Sequence, residues 1–393
     1  MTSSTPYAYD AVLLAGFGGP EGPDDVMPFL RNVTRGRGVP DERLAHVAEH
    51  YLALGGASPI NEHNRALQAA LREQLRARGV DVPVLWGNRN WAPYLADTVG
   101  QAHRDGRRRL LGLATSAYAS YSSCRQYRED FATALIGADL VGEAAIDKIR
   151  PYYDLPGFLE PFADGLAAAL GEARRDGYQD ASILFTTHSI PLGMADASGT
   201  DADGRLYVEQ HLAACREVVR LAVGRDPAAG ESAPVPDWRL VYQSRSGAPH
   251  VPWLEPDIGD VIAQVADDGG RAVIVVPIGF ISDHVEVIWD LDTEAAQIAA
   301  DRGLWFRRVA TPGVDPRFVA GLADLVAARL TGGPDVASAT GLPARPGTCP
   351  PGCCRANPVR PTTAGADSAA DWSGLDFAPE ALAASGIRGE LTA

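Results

Sequence analysis

The sequence predicts an α/β protein of two similar, open, parallel-sheet domains. Three observations carry that expectation. Short apolar runs alternate with helical stretches, the alternation restarts after a break, and polar residues able to do chemistry directly follow the apolar runs. Ligands of open α/β sheets sit beyond the carboxyl ends of the strands, so the third observation bears on function.

The elements follow in order. Residues 11–15 (AVLLA) read as a buried strand, closed by the turn Gly16-Phe17-Gly18-Gly19-Pro20. Residues 60–78 carry a helical pattern, and 82–86 and 110–115 read as further buried strands. This β-α-β order implies parallel strands with helices on their faces. Two prolines and a glycine in residues 149–157 (IRPYYDLPG) mark the break. Beyond it, 181–186 (ASILFT), 238–243 (WRLVYQ) and 272–277 (AVIVVP) read as strands, with amphipathic helices over 206–223 and 258–268. The expected division is residues 1–155, 156–332, and an extension over 333–393. The extension changes character: Gly, Pro, Ala and Ser dominate 332–346, three cysteines fall within 349–354, and a small-residue, polar tail follows. That tail is expected to be mobile, with Trp372, Leu375 and Phe377 as candidate anchors, and residues 226–237 read as a surface loop.

Composition excludes several classes. With 46% hydrophobic and 22% charged residues over 393 positions, the chain can bury two ordinary cores. A net charge of -15 argues against a nucleic-acid partner, which needs clustered basic residues. All but one of the 35 basic residues are arginine, the exception being Lys148, a bias expected of a GC-rich genome. No apolar run is long enough to span a bilayer, and the N-terminus lacks the features of a signal peptide, so a cytoplasmic protein is expected. Nothing in the sequence demands a dimer, so a monomer is expected. Five cysteines in a reducing compartment do not suggest disulfides. The close spacing of Cys349, Cys353 and Cys354 suits metal or cluster ligands, though three reduced thiols on a tail would look the same.

Two features carry chemistry. In Pro277 to Asp292 (PIGFISDHVEVIWDLD), a strand turns at Gly279 and delivers Asp283, His284 and Glu286 to a helix start. Glu286, Asp290 and Glu294 recur every four residues, which on an α-helix stacks three carboxylates in a line. A solvated acidic face is one reading; Ile278, Phe280, Ile281, Val285 and Ile288 around the acids make a buried line that binds a cation or passes protons an equal alternative. The second feature is His188, directly after the 181–186 strand. A strand-end histidine suits proton transfer or metal ligation, although alone it could equally be a hydrogen-bonded structural residue. Together, an imidazole and a carboxylate can accept the two pyrrole protons that metallation of a macrocycle releases, and both suit Fe(II).

Five segments in order resemble the ferrochelatase family over roughly residues 10–330. They are Gly18-Gly19-Pro20-Glu21; Gly55-Gly56-Ala57-Ser58-Pro59-Ile60; Thr187-His188-Ser189-Ile190-Pro191; Tyr242-Gln243-Ser244-Arg245 with Val251-Pro252-Trp253-Leu254; and Gly279 through Glu286 (GFISDHVE). The resemblance implies two Rossmann-like, chelatase-type domains with a porphyrin cleft between them. It implies that His188 and Glu286 handle substrate Fe2+, that Ser58 and Tyr127 line the cleft, and that Arg35 meets a propionate. Phe17 stands where some members place an iron-ligating tyrosine, so product iron would be held differently or by fewer protein groups. The cysteines resemble members carrying a [2Fe–2S] cluster, with Cys124 as fourth ligand to Cys349, Cys353 and Cys354, and Cys215 left as core packing. The arginine-rich composition resembles actinobacterial members, which implies coproporphyrin III as the porphyrin. Protoporphyrin IX, a chelatase for another metal, and a non-catalytic porphyrin- or heme-binding Fe–S protein are the alternatives.

Overall fold

The computed structural model describes residues 7–36, 38–225, 236–247, 250–355 and 360–369. The first half contains β1 (Ala11–Gly16), α1 (Val26–Val33), α2 (Asp41–Ala53), α3 (Ile60–Ala77), β2 (Val84–Asn88), α4 (Leu95–Arg104), β3 (Arg109–Ala114), α5 (Gln126–Gly137) and β4 (Ala145–Lys148). The second contains α6 (Pro156–Arg175), β5 (Ser182–His188), α7 (Leu192–Asp196), α8 (Leu206–Gly224), β6 (Trp238–Gln243), α9 (Ile258–Asp267), β7 (Ala272–Val276), α10 (Val285–Val287), α11 (Ala296–Asp301), β8 (Trp305–Arg308) and α12 (Pro316–Thr331).

Each half holds a four-stranded sheet, ordered β2-β1-β3-β4 and β6-β5-β7-β8, with every pairing parallel. The two orders are the same permutation, so the restart read from sequence is a repeated topology. Central strands β1 and β7 are wholly buried, as apolar runs covered on both faces by crossover helices must be. Edge strands β4 (AIDK) and β8 (WFRR) escape a hydrophobic reading, because edges carry charge that discourages further pairing.

The halves join through α6 and α12. Phe158 and Phe162 of α6 meet Phe318 of α12 and Tyr152 in one core, with Phe158 and Phe318 ring centroids 5.7 Å apart. Helix α12 also packs on α3, so the last helix of the second half seals the first. Asp315 caps α12 by accepting from the Arg317 amide at 2.9 Å, and Gly332 ends it in the left-handed conformation at φ 69°.

Residues 333–355 and 360–369 pack across both halves. Arg150 reaches the Val336 carbonyl at 2.8 Å, Arg345 grips Asp203 at 2.7 and 3.1 Å, and Arg128 binds the Thr363 carbonyl at 2.7 Å and Asp367 at 2.8 Å. Residues 360–369 pack on the first half because the buried Arg128 guanidinium needs their oxygens. Residues 226–235, Trp372, Leu375 and Phe377 lie outside the described residues. Among the described residues no helix is long and apolar enough to cross a membrane.

The α6–α12 seam leaves no room at Gly157, where a Cβ would overlap the Arg317 carbonyl, and backbone cannot rotate aside. Gly157→Ala is expected to destabilise the fold by about 1–3 kcal/mol. Urea unfolding of the variant beside the parent checks this, and equal midpoints would contradict it.

Candidate active site

The strand order reverses at β5 and β7, and the crevice above such a reversal is where open α/β sheets bind ligands. His188 is the last residue of β5 rather than a residue beyond it, and Glu286 lies on α10 just past β7. The two side chains face each other, with His188 Nε2 3.8 Å from Glu286 Oε2, and both are partly open to solvent.

Local packing sets this approach. Gly279 rests on Thr187, and a Cβ there would overlap the Thr187 hydroxyl, so glycine lets the β7 turn lie against the end of β5. The Tyr207 hydroxyl, from α8, donates to the His188 carbonyl at 2.9 Å and lies 2.8 Å from Thr187 Oγ1. His188 Nδ1 contacts the Ser189 carbonyl, which can only accept, so Nδ1 carries the hydrogen. The neutral ring then presents the Nε2 lone pair toward Glu286, ready for a proton or a metal ion.

The acidic stripe is wound differently from the sequence expectation. Residues Ile288–Ala295 form a π-helix, not a continuation of an α-helix. Wider winding brings residues five apart together, and Trp289 Nε1 donates to Glu294 Oε1 at 2.9 Å. Asp290 turns to β6, accepting from Gln243 Nε2 at 3.1 Å and from the Ser244 hydroxyl. Ser244 adopts the left-handed conformation, φ 60°, uncommon for a residue with a side chain. Burial pushes the Asp290 carboxyl up to about 6; the Ser244 bond opposes that shift, and nearby Glu286 and Glu294 add to it. Burial pushes the His284 imidazole down, so that ring stays neutral beside the pair.

The first half meets this region through aromatics. Phe29 and Tyr51 pack on Val285, with Phe17 and Trp91 at the margin, and His50 stacks on Trp289 at 4.2 Å. Phe17 lies edge-on to Phe29 at 6.3 Å. Ser58 and Tyr127 are 8% and 4% exposed, so each shows little surface to a ligand. Tyr127 lies under the Arg89 guanidinium, 4.5 Å from its ring. Arg35 reaches Asn32 Oδ1 at 2.5 Å at the end of α1, while Arg37 lies outside the described residues.

Four cysteines converge elsewhere. Cys124, in a π-turn (Tyr121–Arg125), contacts Cys349; Cys349 contacts Cys353; and Cys353 Sγ lies 3.8 Å from Cys354 Sγ. Tetrahedral thiolate ligation at about 2.3 Å places two sulfurs about 3.8 Å apart. Arg128, fully buried, leaves Nη1 without a hydrogen-bond partner while its charge acts on Cys349 and Cys124. Among the described residues no three donors already surround a single point as a closed ion site. The donors form a string of soft sulfurs beside an orphaned buried N–H, which fits a sulfur-rich group spanning several thiolates. Cys215 is buried in the main core on α8, apart from the four.

Sequence reasoning named His188, Glu286 and the four thiols. It did not single out Tyr207, Gln243, Ser244 or Trp289 as parts of the site. Ser244 was within reach, since it follows a predicted strand; the contacts of Tyr207 are tertiary and leave no local signal.

Twin parallel sheets place an imidazole and a carboxylate at the second switch point, and comparison with known proteins gives the class, a metal chelatase. The chain belongs to the ferrochelatase family, whose model matches residues 9–330. It is 52% identical to a coproporphyrin III ferrochelatase of Streptomyces griseus subsp. griseus, over 92% of this chain and 98% of that one. It is 53% identical to a coproporphyrin III ferrochelatase of Streptomyces coelicolor, over 92% and 97%. SirB from Bacillus subtilis with Fe3+ aligns at a TM-score of 0.43 and 12% identity, over 82% of this chain and 96% of that one.

Asp290 has a signed consequence. Its carboxyl titrates near 6 in the fold and near its ordinary 3.8 when unfolded. The stability of the neutral carboxyl is fully present below 3.8 and is lost as pH rises through about 6. Asp290→Asn, uncharged throughout, should gain on the parent by on the order of 1–3 kcal/mol between about pH 4 and about pH 7. Urea unfolding across that range measures it, and parallel stability curves would refute it.

Proposed function

We propose that this chain inserts Fe(II) into coproporphyrin III, giving coproheme in heme biosynthesis. The observation that carries the reading is the approach of His188 Nε2 to Glu286, with Nδ1 already committed to a backbone carbonyl. His188 Nε2 takes one pyrrole proton and Glu286 the other, and iron fills the ring as both leave. The same two groups hold the arriving ion only loosely, as a site that must release its metal should. Asp290, titrating near 6, takes the proton from Glu286 and passes it toward Glu294 and solvent. Phe17 offers iron no ligand and packs as an apolar wall. Arg35, and the surfaces left by Ser58 and Tyr127, are assigned to the porphyrin edge. Coproporphyrin III is favoured because the named relatives carry that substrate in their names. We read the protein as a cytoplasmic monomer.

A [2Fe–2S] cluster would be held by Cys124, Cys349, Cys353 and Cys354. When bound, such a cluster supplies one-electron chemistry and ties the C-terminal segment to the entry of α5. The support is the convergence of the four thiols and the orphaned Arg128 N–H beside them.

Anaerobic kcat/KM with Fe(II) on coproporphyrin III and on protoporphyrin IX tests the substrate. The reading expects the tetracarboxylate to be preferred at least tenfold. A preference for protoporphyrin IX would overturn the substrate, and no metallation of either would overturn the activity.

A further inference from the structure

The single lysine in a chain of 35 basic residues is Lys148, at the end of edge strand β4, and it is 5% exposed. Burying an ammonium costs several kcal/mol unless an opposite charge or full hydrogen bonding compensates it. Its Nζ donates to the Ile149 carbonyl at 2.8 Å and contacts the Cys124 thiol. Among the described residues no carboxylate pairs with Lys148. The other cations near the thiols are already matched: Arg128 with Asp367 at 2.8 Å, and Arg345 with Asp203 at 2.7 Å. Among the described residues Lys148 therefore has hydrogen-bond partners but no carboxylate counter-ion; Cys124 and Cys349 are the groups that favour its charge, and Arg128, also within reach, opposes it.

We propose that Lys148 is the counter-cation of an anionic iron–sulfur centre held by Cys124, Cys349, Cys353 and Cys354. The proposal rests on the cluster reading above and goes further, assigning the residue that sets the centre's charge balance. Four thiolates and two sulfides outweigh two ferric ions, so the oxidised centre is a net anion. Each electron it accepts adds negative charge. A fixed ammonium against one ligand sulfur favours the more negative state and raises the reduction potential. The choice of lysine over the arginine used everywhere else fits the site. An ammonium is a compact point charge with three freely rotating donors.

The test uses the full chain, purified without oxygen, as parent, Lys148→Met, Lys148→Gln and Lys148→Arg. Iron and sulfide content, visible and electron paramagnetic resonance spectra, and the midpoint of a dithionite titration are read for each. Met and Gln should shift the midpoint to more negative potential, and should lose the cluster to a chelator at least several-fold faster than the parent. Arg, which keeps the charge, should stay nearer the parent in both. If Met does not fold, Gln, which can still donate to the Ile149 carbonyl, carries the comparison. A fully loaded neutral variant with the parent's midpoint and bleaching rate would overturn the assignment of Lys148 alone. A parent without iron and sulfide would overturn the cluster reading itself, and the assignment with it.

Discussion

The contact of Gly279 with Thr187 is the constraint on which the site depends. It lets the turn after β7 lie flush against the end of β5, so that Glu286 arrives 3.8 Å from His188. Any larger residue would separate the strand ends and, with them, His188 and Glu286, the two groups proposed to act on one macrocycle. Tyr207 reinforces the arrangement from beneath by holding both the Thr187 hydroxyl and the His188 carbonyl. The pair's geometry thus rests on a few buried contacts at one topological reversal, while His188 and Glu286 themselves remain partly open to solvent.

The π-helix gives the acids separate tasks. In an α-helix, Glu286, Asp290 and Glu294 would crowd one line and repel. Wider winding sends Asp290 to Gln243 and Ser244, and Glu294 to Trp289, leaving Glu286 toward the histidine. Burial, with Glu286 and Glu294 adding to it, pushes the Asp290 carboxyl up to about 6, into the range where a carboxyl can exchange protons near neutral pH. The second sulfur-rich region is tied to the same framework. Cys354 exchanges hydrogen bonds with Gly199 through its amide and its Sγ, and the neighbouring Ser198 hydroxyl accepts from the Tyr207 amide. The C-terminal thiols thus pack on the loop that also positions the partner of His188.

Much of this was legible in the sequence, for physical reasons. The central strands are covered on both faces, so β1, β5 and β7 stand out as apolar runs, and the strand-end location of His188 follows from them. Edge strands β4 and β8 were hidden by their charges, which edges require. The acids were legible as a repeat, but not their π winding, because a period of four in sequence fits either helix. Cys349, Cys353 and Cys354 announced themselves by spacing. Their convergence with Cys124 needed the whole fold, since the π-turn and the C-terminal segment are more than two hundred residues apart. Lys148 was visible only as a compositional oddity until its burial gave that oddity a charge to balance.

The central claim is that His188 and Glu286 act as one unit on a single porphyrin. The measurement that tests it most directly is a double-variant cycle on kcat for iron insertion, with His188→Ala, Glu286→Gln and both together. Each single change should cost on the order of 10²–10⁴-fold, and the double should cost little more than the worse single, because groups that act as a unit are not additive. Losses that multiply in the double variant would mean the two residues work independently, and would contradict the account.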